Sequence, residues 1–152
     1  MISNRINSGI NGEILIPGDK SISHRSIIIP SISLGVSEIS NILMSDDVLH
    51  TLEALKTMGV KIKKENGKII IYGHGLNSLS KPNKNIYLGN SGTSARLLTG
   101  LLASQSFNSI IEGDKSLSSR PMSRIINPLK LMGANFVNET GRLPLKIIGT
   151  DL

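Results

Sequence analysis

Cysteine is absent from the 152 residues, which excludes disulfides, thiolate nucleophiles and Cys-ligated metal sites. Tryptophan is absent too, and aromatic residues make up only 3% of the chain, too few to build a base-stacking platform for single-stranded nucleic acid. No apolar run approaches the roughly 18 residues that a membrane-spanning helix requires, so no membrane association is expected. The opening residues MISNRINSGI lack the apolar stretch of a secretory signal. Together these absences lead to an expectation of a cytoplasmic protein.

Apolar residues account for 39% and charged residues for 18%, a balance that suits a folded domain with its own core. Lys and Arg number 17 against 11 Asp and Glu, a net charge of +6 that favours anionic partners. The cations are dispersed, however, and groups such as Lys61, Lys63 and Lys64, or Lys81 and Lys84, read as solvated faces. A small anion is the expected partner, and nucleic acid is not. His24, His50 and His74 are too scattered for a recognisable metal motif, and His24 reads as a packing or hydrogen-bonding residue. Asp46, Asp47 and Asp114 read as helix caps and loop residues, and Met44, Met58, Met122 and Met132 as core.

The chain repeats itself. Met58-Gly59 returns as Met132-Gly133 and Gly67 returns as Gly141, each 74 positions later, while SHRSII at Ser23 corresponds to SARLLT at Ser94, 71 positions later. Each copy reads as strand or loop, helix, strand, helix, then two strands. In the first, a helix is expected over Ser23–Ile32 and a strand over Ser37–Asn41. A second helix, capped by Ser45 or Asp46, should end at Gly59. Val60–Lys64 and Lys68–Tyr72 should pair around Asn66-Gly67, a strong hairpin signal. The second copy predicts a helix over Thr93–Gln105, a strand over Ser109–Glu112, a helix over Pro121–Met132 kinked at Pro128, and another hairpin. A separate early strand is expected over Gly12–Pro17. The fold class is α/β (α+β), with helices covering one face of small sheets.

Two junctions carry the chemistry. In Pro17-Gly18-Asp19-Lys20-Ser21-Ile22-Ser23-His24-Arg25, Ser21 or Ser23 can cap a helix whose free amides face incoming negative charge. Lys20 adds an ammonium, and Arg25 lies one turn beyond Ser21 on the same face. In Leu88-Gly89-Asn90-Ser91-Gly92-Thr93-Ser94-Ala95-Arg96, Gly89 and Gly92 let backbone approach a ligand without an intervening Cβ. Gly92 is needed either for that close approach or for a positive φ angle.

The pair PGDKSISHR and LGNSGTSAR resembles the two signatures of 5-enolpyruvylshikimate-3-phosphate synthases, and GDKSLSSRPM from Gly113 resembles that family's further phosphoenolpyruvate-binding stretch. The resemblance covers essentially the whole chain. It implies repeated βαβαββ units, of which about two are present here. Residues 1–19 would belong to the other domain of the full-length fold, and residues 20–152 to an incomplete domain holding two of its three units. The implied reaction moves the enolpyruvyl group of phosphoenolpyruvate to the 5-hydroxyl of shikimate 3-phosphate and releases phosphate. No metal or organic cofactor is implied, and the full-length protein would be a monomer.

By motif position, the resemblance assigns Lys20, Ser21 and Arg25 to shikimate 3-phosphate. It assigns Lys20, Gly92 and Arg120 to phosphoenolpyruvate, with Asn90, Ser91 and Thr93 completing the pocket and Lys20 as the catalytic group. Glyphosate would occupy the phosphoenolpyruvate pocket. The sequence stops at Leu152, before the family's serine-rich segment and its acid/base carboxylates, so the chain taken alone is expected to be an inactive fragment. Two other readings stand beside this one. The sister transferase acting on UDP-N-acetylglucosamine shares the fold, but the absence of Cys and the run KSISHR count against it. A non-catalytic anion-binding module would retain affinity without turnover.

Overall fold

The computed structural model describes residues 11–137 and 140–150. The first helix, α1 (Lys20–Ser31), starts three residues before its expected position because Asp19, and neither serine, is the cap. The Asp19 carboxylate accepts the Ile22 amide at 2.7 Å, while the Ser23 hydroxyl donates to the Asp19 carbonyl and accepts the Leu43 amide. Strand β1 (Leu34–Ile39) leads to α2 (Asp46–Thr57), which carries Asp46 and Asp47 in its first turn and Lys56 in its last, matching the helix dipole. Ser45 is its N-cap residue but makes no side-chain cap bond. Strands β2 (Lys61–Glu65) and β3 (Lys68–His74) follow, joined by Asn66 and Gly67 with φ angles of 49° and 75°. Positive φ at both central residues matches the right-handed twist of the flanking strands.

The second copy runs β4 (Ile86–Tyr87), α3 (Gly92–Ala103), β5 (Ser109–Glu112), α4 (Lys115–Ser118), α5 (Ser123–Leu131), β6 (Asn135–Val137) and β7 (Leu145–Ile148). The helix expected over Pro121–Met132 is found as α5, which begins two residues later and runs through Pro128, while the short α4 ahead of Pro121 is an additional element.

The repeat is visible in the topology. One sheet has the order β1-β3-β2 and the other β4-β5-β7-β6, so β5-β7-β6 reproduces the antiparallel arrangement of the first sheet. The helix ends repeat as well. After α2, the Gly59 amide donates to the Lys56 carbonyl and the Val60 amide to Leu55; after α5, Gly133 donates to Lys130 and Ala134 to Leu129. Both glycines have positive φ, 89° and 105°, the left-handed cap that closes a helix on its own carbonyls.

The copies differ at their first strand. Ile86 and Tyr87 pair in parallel with Ile111 and Glu112, but the corresponding segment before α1 forms no ladder among the described residues. The strand expected over Gly12–Pro17 is therefore absent from this structure: Ile14, Leu15 and Ile16 are 79%, 95% and 72% exposed, and a strand needs a partner for its amides. One hydrophobic cluster unites both copies, with Ile27, Leu55, Met58 and Ile71 from the first and Leu98, Leu102, Ile111 and Ile147 from the second. Met58 and Met122 belong to this core as expected. Met44 (38% exposed) and Met132 (67% exposed) do not, because they lie where the chain enters α2 and leaves α5.

Two alanine substitutions should act in opposite directions. Gly59→Ala forces an L-residue to φ 89° and brings its Cβ to 3.3 Å from the Ser80 hydroxyl, which should cost about 1–2 kcal/mol. Gly100→Ala sits inside α3 with open space around the new methyl and should stabilise by about 0.5–1 kcal/mol. Urea unfolding of both variants checks the pair; a Gly59→Ala variant as stable as the parent would contradict the cap.

Candidate active site

Three helix N-termini meet at one place. Helix α3 starts where Gly89, at φ 54°, turns the chain out of β4, and Ser91 caps the helix through the Ser94 amide. The turn is braced from the second motif to the third, since the Asp114 amide donates to the Gly89 carbonyl at 2.8 Å. Asp114 in turn caps α4 through the Leu117 amide, as its reading as a cap residue requires. This places Arg120, just past α4, over the start of α3, where its guanidinium donates to Asn90 Oδ1 and lies 3.5 Å from the Ser116 hydroxyl.

The resulting pocket has a volume of about 280 Å³ and is lined by Lys20, Asp47, Asn90, Gly92, Thr93, Arg96 and Arg120. Five of these residues, Lys20, Asn90, Gly92, Thr93 and Arg120, are ones the motifs single out. They come from segments up to 100 positions apart in sequence (Lys20 to Arg120). Ser91 is fully buried and does not line the pocket; its hydroxyl serves the α3 cap. Ser21 and Arg25 are exposed on α1 outside it, and Arg25 opens instead on a separate hollow of about 460 Å³ beside β1.

Two lining residues were not legible as site residues. Arg96 is the repeat counterpart of Arg25, and that correspondence was the available signal. It turns inward, its Nη1 donating to the Gly92 carbonyl at 3.2 Å, where Arg25 turns outward. Asp47 does lie in the first turn of α2, but it also forms an ion pair with Lys20. The pocket therefore holds three cations and one carboxylate, an arrangement able to bind an anion of more than one negative charge. Among the described residues, no group of three His, Asp or Glu side chains is placed to hold a metal ion.

Beneath the pocket lies a buried polar chain. His24 Nδ1 is 2.8 Å from Thr51 Oγ1, which is 2.7 Å from Ser94 Oγ, which is 2.5 Å from Ser91 Oγ. Ser94 also donates to the Asp47 carbonyl at 3.3 Å. His24 is thus a hydrogen-bonding residue of α1, as its sequence context suggests. Burial holds its imidazole below the ordinary value of 6.5; the Asp47 charge opposes that shift and the Lys20 charge adds to it.

The sequence profile of the EPSP synthase family (3-phosphoshikimate 1-carboxyvinyltransferase) matches residues 5–152. The 3-phosphoshikimate 1-carboxyvinyltransferase of Ruthia magnifica subsp. Calyptogena magnifica is 53% identical over 142 residues, which is 93% of this chain and 33% of that protein. The one from Oceanobacillus iheyensis is 50% identical over 149 residues, 97% of this chain and 35% of that protein. An EPSP synthase structure from Acinetobacter baumannii superposes with a TM-score of 0.86 at 47% identity, covering 91% of this chain and 32% of that one. The chain thus spans about a third of the length of the curated relatives it matches.

Gly92 offers a direct test of the pocket. Its φ is not positive, so the left-handed explanation for this glycine does not hold; a Cβ there would instead lie 2.9 Å from Arg96 Nη1 and 3.1 Å from Arg120 Nη1. Gly92→Ala should displace both guanidinium groups and weaken inorganic phosphate binding about tenfold or more, the cost of one charge-assisted contact. The melting midpoint of the free protein should stay within a degree or two, because the first turn of a helix accepts alanine. Unchanged phosphate affinity in calorimetry would refute the placement of the anion.

Proposed function

Because the chain belongs to the EPSP synthase family, we propose that it forms the phosphoenolpyruvate-facing part of a site that transfers the enolpyruvyl group to the 5-hydroxyl of shikimate 3-phosphate and releases phosphate. That reaction lies in the shikimate pathway to chorismate. The observation that carries this reading is the pocket itself: Lys20, Arg96 and Arg120 converge on the amides of α3 in a volume suited to a small phosphorylated acid. No observation favours the UDP-N-acetylglucosamine reading. Residues 1–19 are assigned to the other domain of the full-length fold, whose strands would supply the partner that Ile14–Ile16 lack. The full-length protein is assigned as a cytoplasmic monomer.

The roles proposed here combine the pocket with the motif resemblance. Arg120, anchored on Asn90, and Arg96, anchored on the Gly92 carbonyl, hold the phosphate of phosphoenolpyruvate. Attack of the 5-hydroxyl, which gives up its proton, on the phosphate-bearing carbon of phosphoenolpyruvate, with protonation of the methylene, gives a tetrahedral adduct. Loss of phosphate and a proton then leaves the enolpyruvyl ether. Fixed positive charge is most useful where the phosphate departs, and this is the part given to the two guanidinium groups. Lys20 exchanges its Asp47 partner for the substrates and screens their mutual repulsion. Ser21 and Arg25, outside the pocket, hold shikimate 3-phosphate, with Arg25 pairing with its carboxylate. On this reading glyphosate occupies the phosphoenolpyruvate side.

The test is a chimaera in which this chain replaces the matching third of the Acinetobacter baumannii enzyme. It should release phosphate from phosphoenolpyruvate only when shikimate 3-phosphate is present. Within it, Arg120→Ala should raise KM for phosphoenolpyruvate and weaken glyphosate, each by about ten- to a hundredfold, and Arg25→Ala should do the same to shikimate 3-phosphate alone. Equal effects of Arg25→Ala on both substrates would overturn its assignment. A folded chimaera whose phosphate release ignores shikimate 3-phosphate would overturn the reaction.

A further inference from the structure

His24 is fully buried, and its position is unusual for a residue so close to an anion site: it touches the pocket only through other residues. Its Nδ1 meets the hydroxyls of Thr51 on α2 (2.8 Å) and Ser94 on α3 (3.4 Å), so one ring joins the first half of α1 to both other helices. Its Nε2 is buried without a partner. A neutral ring fits this site, since one nitrogen bonds to Thr51 and the other can remain a bare lone pair. An imidazolium does not fit, because Nε2–H would be a buried donor with no acceptor. The charged groups that bear on the ring are Asp47 of α2 and Lys20 of α1, which are paired with each other. From α3 it meets the Ser94 hydroxyl, while Arg96 reaches the Gly92 carbonyl instead.

We propose that neutral His24 is the positioning residue of the anion pocket, fixing through Thr51 and Ser94 how far the Lys20–Asp47 pair stands from the amides of α3. It acts on the ligand only through these neighbours, and the proposal rests on the anion-pocket reading given above. Its consequence runs against simple electrostatics. Adding positive charge beside an anion site should tighten binding. Here protonation leaves Nε2–H a buried donor with no acceptor, which disfavours the packed position of the ring and loosens the tie between α1 and α3, so binding weakens on acidification. The sign for stability is the same: the folded state holds the proton less tightly than the unfolded chain, so stability falls as pH drops below about 6.5 and levels off beneath the lower folded value.

Sulfate is the suitable probe, because it stays doubly charged throughout the titration. Its affinity for the whole chain is measured at about pH 7.5 and about pH 4.5, the lower chosen well beneath the ordinary histidine value because burial lowers that of the folded protein. The parent should bind about fivefold or more weakly at the lower pH, the equilibrium worth of one net hydrogen bond. His24→Asn, whose amide can meet Thr51 without titrating, should bind equally at both. His24→Phe should bind weakly at both. Arg120→Ala separates the two readings: if it binds sulfate like the parent, or if the parent binds none, the pocket reading fails. If Arg120→Ala loses sulfate but the parent binds no more weakly on acidification, or His24→Phe keeps the parent's affinity and pH profile, the positioning role is wrong. Should His24→Phe show no cooperative melt, the parent and His24→Asn decide the matter between them, since an Asn variant with the parent's pH dependence overturns it.

Discussion

The structure depends on a short chain of buried hydrogen bonds, from His24 through Thr51 to Ser94 and Ser91, that fastens the starts of three helices together. Each helix N-terminus carries unpaired amides and a partial positive charge, so bringing three of them close is unfavourable without compensation. Part of that compensation is local: Asp19 and Ser91 cap their own helices, and Asp46 and Asp47 place negative charge on the first turn of α2. The remainder is shared, because the Asp47 carbonyl accepts from Ser94 and its carboxylate pairs with Lys20. A site that concentrates positive potential is thereby held together before any anion arrives. In such a low-dielectric network every member must be satisfied, and the one atom left out, His24 Nε2, is where its protonation state matters.

The internal repeat supplies the scaffold and then departs from it where chemistry is needed. The two sheets share their strand order and their helix-ending glycine caps, features fixed by backbone geometry. The two opening loops share only their plan. In the first, an aspartate caps the helix and the arginine faces outward; in the second, a serine caps it and the arginine turns back onto the Gly92 carbonyl. The third motif has no counterpart in the first copy. It adds the single turn of α4, which carries Arg120 across the mouth of α3. One copy thus provides Lys20 and Asp47 and the other provides the start of α3 and both guanidinium groups, so neither could form the pocket alone.

Much of this was legible in the sequence because it is local. The glycines after α2 and α5, the Asn66-Gly67 hairpin, the run of β5 and the 74-residue spacing of Met58-Gly59 and Met132-Gly133 all follow from short-range backbone preferences. The motifs likewise pointed to Lys20, Gly92 and Arg120 without any coordinates. Other features could only be settled by tertiary packing. Which of Asp19, Ser21 and Ser23 caps α1 depends on Ser23 being drawn to the Leu43 amide. Whether Arg25 or Arg96 enters the pocket depends on which way each helix face is turned by the core beneath it. Asp47 reads as a helix-start acid in sequence, and only the approach of α1 makes it the partner of Lys20. The strand expected over Gly12–Pro17 depends on a neighbour, since backbone pairing is never a property of one segment. Sequence determined the turns, the helix-ending glycines and the cations; three-dimensional packing decided which of those cations share a site, because their convergence is set by contacts between residues far apart in the chain.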